Sequence, residues 1–343
     1  MKRWQGFERG INLGGWFSQC KYTEEHFDTF IKEQDFERIA GWGLDHVRLP
    51  FDYNFLETED GEYIDKGFER LTVAIGWARK NGLNLILDLH KTFGYSFDAG
   101  EKQEGFFENE EYQERFYRLW ERMAVYYGNM HENVAFELLN EVTDPQVSDV
   151  WNKIAAKCIE RIRVYAPDTF ILIGSYWNNS VSSVKALEAP YDDKIVYNFH
   201  CYEPMIFTHQ GAGWIDCMPG DFRISYDSTY SEYSEELKAK IPGGEFLLPD
   251  MGDPNQKADT EFFIRYFKEA VEHAEKYDVP LYCGEYGVID LAEPKDALRW
   301  YRAIHEAFVH YGINRAAWSY RNMNFGFVDE HFAPVLDEVV KVL

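Results

Sequence analysis

Cysteine is scarce. Five occur among 343 residues (Cys20, Cys158, Cys201, Cys217 and Cys283), an odd number with no CxxC pair. This argues against a disulfide framework or a cysteine zinc site and fits a reducing compartment. Long apolar runs are also missing, and no stretch approaches the roughly 20 residues that span a bilayer. The chain starts with Lys2 and Arg3 but has no apolar core behind them, so a signal peptide is not expected. The protein is expected in the cytoplasm, or secreted with its signal absent from this chain. Bases are outnumbered, 35 Lys and Arg against 59 Asp and Glu, for a formal charge of −24. That field repels phosphate backbones and anionic lipid, so nucleic acid and membrane are not expected as partners, whereas a neutral substrate is not repelled. The acid is dispersed rather than gathered into a tail, as on a solvated surface. No GxGxxG follows a strand and no HExxH occurs.

Aromatic residues are abundant instead, at 17%. A second regularity is repetition. An amphipathic helical pattern ends at Gly and leads into a short apolar strand in "AGWGLDHVRLP", "KNGLNLILDLH" and "HYGINRAAWS". Gly43, Gly82 and Gly312 fit the left-handed residue that closes a helix, and Pro167 and Pro280 break two further units. Phe68, Leu71, Ala74, Ile75 and Ala78 form one helical stripe, and Phe116, Leu119, Trp120 and Met123 another; both read as core. Eight strands are expected, centred near Ile11, Val47, Leu87, Phe136, Leu172, Val196, Tyr282 and Ala317. Eight strand-then-helix units predict an α/β fold, a single (β/α)8 TIM barrel over residues 1–343. The longest step, between the sixth and seventh strands, predicts an inserted subdomain at about 203–262 over the barrel mouth.

In such a barrel chemistry sits at the C-terminal ends of the strands. Those ends carry Arg48 ("HVRLP"), His90 ("LDLH"), Asn140 and Glu141 ("LLNE"), His200 and Tyr202 ("NFHCY"), Glu285 ("CGEYG") and Trp318 ("AAWSY"). Singly each has a structural reading: a strand-end histidine is often only hydrogen-bonded, Arg48 could pair with Asp52, and Trp318 could be core. Together they place Glu141 and Glu285 on different sides of one rim. Two facing carboxyls with hydrogen-bond donors and an aromatic platform are the equipment of glycoside hydrolysis. Metal hydrolysis fits less well, because Ile11-Asn12-Leu13 replaces the HxH such barrels carry on their first strand, although Asp88, His90 and His200 lie at strand ends. No metal or cofactor is expected.

With "GINLGGW", "DHVRLPFDY", "AFELLNEV", "YNFHCY" and "LYCGEYGV" in place, essentially the whole chain resembles glycoside hydrolase family 5, nearest the clostridial endoglucanase C branch. The resemblance implies a retaining endo-β-1,4-glucanase acting on cellulose-like and mixed-linkage β-glucans, with glucomannan a further candidate, and a monomer. Exo-β-1,3-glucanases and β-mannanases share the catalytic pair and remain alternatives. A catalytically dead sugar-binding barrel would lack one of the two carboxyls. By the resemblance Glu141 is the acid/base and Glu285 the nucleophile. Arg48 and Tyr202 hold Glu285, Asn140 meets the sugar 2-hydroxyl, and His200 orients Glu141. His90 and Trp318 line the distorted sugar, with a cis peptide after Trp318. Lys91 departs from the family, which often has a second histidine there. Among aromatics that could bear a sugar (Trp16, Phe51, Tyr95, Trp177, Phe207, Trp214, Trp318), Trp318 and then Trp177 lead. Phe207 and Trp214 are placed in the inserted lid, with His209 a further contact.

Overall fold

The computed structural model describes residues 1–98, 100, 101 and 103–343. Eight parallel strands close into one barrel: β1 (Arg9–Asn12), β2 (His46–Asp52), β3 (Asn84–Lys91), β4 (Val134–Glu137), β5 (Ile171–Ile173), β6 (Ile195–Cys201), β7 (Leu281–Tyr286) and β8 (Asn314–Ala317). β1 closes the ring on β8 with Gly10 opposite Ala316. Every expected strand centre lies inside its strand. The helical stripes also fall where the periodicity puts them, buried on α2 (Asp65–Lys80) and α3 (Glu110–Tyr127), which follow α1 (Glu33–Gly41). α4 (Ser148–Arg163), α5 (Tyr230–Lys240), α6 (Thr260–Tyr277) and α7 (Pro294–Tyr311) complete the longer helices. Gly43, Gly82 and Gly312 all have positive φ.

The expected alternation fails twice: β8 is followed only by the 3-10 segment Glu330–Phe332 and the four-residue helix Leu336–Val339, and the other break is at β5. β5 is followed by a turn and a 3-10 segment, Val181–Ala186, not by a barrel helix. "SYWNNSVSSVKALEAP" is rich in Ser and Asn, whose side chains compete with the helical backbone, and ends in Pro190. Residues 202–280 hold α5 and α6. Within this segment Phe222, Tyr226, Tyr233 and Leu237 are buried in the main hydrophobic core rather than in a core of their own. No described helix is long and apolar enough to cross a membrane.

The strand alternation builds the barrel interior in layers. Ile86, Ala135, Leu172, Val196, Tyr282 and Ala316 form an apolar floor sealed by Trp4 and Phe7. Two positions further along the strands the lining turns polar: Asn12, Arg48, Asp88, Glu137 and Asn198 are all fully buried. The mouth lies above that layer.

Two ladder irregularities shape the mouth. Phe51 faces Leu89 but Asp52 faces Lys91, leaving His90 as the extra residue. Phe199 faces Cys283 but His200 faces Glu285, leaving Gly284 unopposed. A bulge re-aims the side chains beside it. The second one sets Glu285 level with His200. Glycine is required there, because a Cβ on residue 284 would stand 2.8 Å from Asn198 Oδ1.

Candidate active site

Arg48 is the centre of the polar layer. Its Nε and Nη2 donate to the two oxygens of Glu137 (2.7 and 2.8 Å). Nη1 donates to Glu285 Oε1 (2.8 Å) and Asn12 Oδ1 (2.9 Å), and Nη2 also to Asn140 Oδ1 (2.7 Å). Asp88 Oδ2 lies 3.1 Å from Nη2. Burial opposes the guanidinium charge, but Asp88, Glu137 and Glu285 outweigh it and hold the Arg48 pKa well above its ordinary value. Arg48 sits inside β2 rather than at its end, and its length carries the charge up to the mouth. It does not pair with Asp52, which accepts from Ser18 Oγ (2.8 Å), Gln19 N (3.1 Å) and the Tyr22 hydroxyl.

The two carboxyls named from the sequence face each other. One oxygen each from Glu141 and Glu285 and a ring nitrogen of His200 lie within 4.8 Å of one another. Glu285 Oε2 accepts from the Tyr202 hydroxyl at 2.8 Å. Burial, then the Glu285 charge, keeps Tyr202 protonated with its pKa well above the usual phenol value. Both Glu285 oxygens are therefore engaged by donors, and the adjacent Arg48 charge opposes a cation in this trio. Glu141 lies just beyond β4, its side chain 12% exposed. Its Oε1 lies 2.8 Å from His200 Nδ1. Burial raises the Glu141 pKa to about 7; Asn178 and Arg48 pull it down and Asp98 adds to the rise. Burial makes the leading contribution. His200 is held neutral, its pKa lowered to about 4 by burial.

The Cellulase family (glycosyl hydrolase family 5) matches residues 6–324. The chain belongs to glycosyl hydrolase family 5. Over 317 residues this family-5 chain is 49% identical to Cellodextrinase A of Ruminococcus flavefaciens, a match covering 92% of it and 86% of that protein. Endoglucanase C of Acetivibrio thermocellus is 40% identical over 341 residues, 98% of each chain. The structure of endoglucanase Cel5A from Thermotoga maritima matches with a TM-score of 0.76 at 24% identity, covering 98% of this chain and 97% of that one. At that identity the likeness concerns the fold alone.

The family-5 site brings most of the named residues together. His90 donates to or accepts from Asp88 Oδ2 through Nδ1 (2.6 Å) and lies parallel to the Trp318 ring at 5.8 Å. The Trp318–Ser319 peptide is cis. Arg48 fixes the Asn140 amide by donating to its oxygen, which leaves the NH2 end without an acceptor among the described residues. His209 packs edge-on against Tyr202 (4.9 Å) and Trp214 (5.9 Å), and Trp214 and Trp177 are about half exposed. Phe207 is a correction. It is fully buried against Tyr226 and presents no face to a sugar. Trp16 and Phe51 are core as well, and Tyr95 spends its hydroxyl on the Glu141 carbonyl (2.7 Å). Lys91 faces acids, Asp98 (3.0 Å) and Glu101 (2.7 Å).

Sequence reading missed Asn12, Glu137, Asn198 and Asn178, and treated Asp88 only as a metal-ligand candidate. Asp88 and Asn198 stand two residues before His90 and His200, on the same strand face, and that period of two was the available signal. Asn178 donates to Glu141 Oε2 at 3.0 Å from the loop after β5.

Proposed function

We propose that this family-5 enzyme is a retaining endo-β-1,4-glucanase acting on soluble β-glucans and cello-oligosaccharides, with Glu285 as nucleophile and Glu141 as acid/base. One observation carries the reading. Two carboxyls face each other across less than 4.8 Å, one gripped by Arg48 and Tyr202, the other with its pKa raised to about 7. Retaining glycosidases hold their carboxyls roughly 5–5.5 Å apart, whereas inverting ones need about 6.5–9.5 Å to admit a water.

In the first step a Glu285 carboxylate oxygen forms a bond to the anomeric carbon as the glycosidic C–O bond breaks. The bonding pair stays on the leaving oxygen, which takes the Glu141 proton. In the second step water bonds to the anomeric carbon and gives its proton to Glu141, and the Glu285 ester bond breaks, restoring the carboxylate. Arg48 and Tyr202 stabilise the charge that returns to Glu285. Loss of that charge in the intermediate makes Glu141 a stronger acid, so that it is ionised when a base is needed. Asn140 would meet the 2-hydroxyl, and His90 and Trp318 would line the sugar under attack. Trp177 and Trp214 offer exposed faces for further sugars. Residues 203–262 would serve as a lid over the mouth. The bonds from Ser225 Oγ and Tyr226 N to Asp296, and the aromatic path from Tyr202 through His209 to Trp214, support that reading.

The test is the product profile on mixed-linkage β-glucan beside the Glu285→Ala variant. Rapid viscosity loss with a spread of oligosaccharides, absent in the variant, is expected. Release of glucose alone without viscosity loss would favour an exo-acting enzyme. The likeness to a protein named cellodextrinase makes cello-oligosaccharides the second substrate to assay.

A further inference from the structure

The loop after β5 closes on the segment that carries Glu141. Asn178 N–H donates to the Val142 carbonyl (3.0 Å), Asn178 Nδ2 to Glu141 Oε2 (3.0 Å) and Asn179 Nδ2 to the Asn140 carbonyl (3.4 Å). Three consecutive residues, 140 to 142, are thus clasped by two asparagines. Trp177, Asn178 and Asn179 are all left-handed, with φ of 55°, 53° and 57°. Asparagine tolerates that backbone better than most residues. The turn is anchored below by Ser175 N–H on Asn179 Oδ1 (3.0 Å), and Gly174 makes room, since a Cβ there would sit 2.1 Å from that oxygen.

We propose that Asn178 is a positioning residue for the acid/base: its amide holds the second oxygen of Glu141 and favours the ionised form required in the hydrolytic step. The inference rests on the acid/base reading of Glu141 given above. His200 from β6 meets only Oε1, and Glu285 and Tyr202 lie on the nucleophile's side. Arg48 and Asp88 act from β2 and β3 through space, and Asp98 and Tyr95 from the loop after β3. Among the described residues Asn178 alone donates to Oε2. A donor on a carboxylate oxygen stabilises the anion, so its removal raises the proton affinity of Glu141. Asn178 also shares its turn with the half-exposed Trp177. A sugar resting on that ring would therefore bear directly on the geometry of the acid/base.

Asn178→Gly removes the amide while keeping a left-handed backbone without strain. With 2,4-dinitrophenyl β-cellobioside, whose leaving group needs no proton, the hydrolytic step limits turnover. The acid limb of kcat is expected to move up by about half to one pH unit, with turnover below that limb down roughly three- to tenfold. Azide attacks the glycosyl-enzyme without a base and should restore that turnover. On cellotetraose the basic limb of kcat/KM should move up by a similar amount. Asn178→Asp, which keeps the shape and adds a like charge, should move both limbs further in the same direction. Limbs at their wild-type positions with turnover lowered evenly at all pH, or no response to azide, would reduce Asn178 to scaffolding and overturn the proposal. Glu141→Ala assayed in parallel separates the two levels. Its rescue by azide supports the parent reading whatever Asn178 does, and failure of that rescue removes both.

Discussion

Arg48 has five N–H groups and all five have an acceptor: two on Glu137, one each on Glu285, Asn12 and Asn140. A lysine offers three donors from one point and cannot reproduce that fork. Arg48→Lys should lower kcat sharply and, by leaving Glu137 part-paired, cost stability as well. Removing one partner of a buried ion pair typically costs about 3–5 kcal/mol. Glu137→Ala should therefore lower the denaturant midpoint strongly, read by urea unfolding, although Glu137 is placed to touch no substrate. At Glu141 the expectation concerns chemistry alone. Glu141→Ala should lose about 10²–10⁴ in rate on cellotetraose but little in the glycosylation step on the dinitrophenyl substrate, which needs no acid. In the wild type kcat/KM on cellotetraose should fall as pH rises through about 7, where Glu141 loses its proton.

Among the elements, the strands were the legible part. Short apolar runs mark the strands, five of the eight set off by a preceding glycine or proline, because a strand buried on both faces has to be largely apolar over its length. The polar residues inside those runs were the second signal, and it was read only at the ends. Arg48 and Glu285 were found because they stand in the motifs at the strand ends; Glu137 and Asn198 share the layer of Arg48 but lie within the apolar runs, before the strand ends. The bulges at His90 and Gly284 left no pattern in the sequence, since they are properties of two strands in register and not of either alone. The turn at 177–179 was hidden for a different reason: its three left-handed residues include no glycine. Gly284→Ala tests the role of the second bulge. A methyl 2.8 Å from Asn198 Oδ1 should push Glu285 out of line with Arg48, reducing kcat by well over tenfold while far-ultraviolet circular dichroism stays near wild type.

At the scale of the whole molecule, buried titratable groups bound the stable pH range on both sides. His90, His200 and His209 are kept neutral by burial, with pKa values lowered from 6.5 to about 3, 4 and 3. Their stabilising neutral form is fully present above 6.5 and is lost as pH falls through those lowered values. Asp88 and Glu141, raised by burial to about 7, act in the other sense: the stability of their protonated forms is lost as pH rises through about 7. The thermal midpoint should fall on both flanks, and His209→Gln should flatten the acid one, as read by scanning calorimetry. Arg48 meanwhile binds groups from β1, β3, β4 and β7 and from the turn after β4, and the chain supplies them in two halves: Asn12, Asp88, Glu137 and Asn140 before β5, beside Glu141, and Glu285 after it. Neither half holds both carboxyls. Severed at residues 187–194, between β5 and β6, the protein should become a two-piece lock: each fragment alone is expected to be silent, and any turnover on mixing would report reassembly.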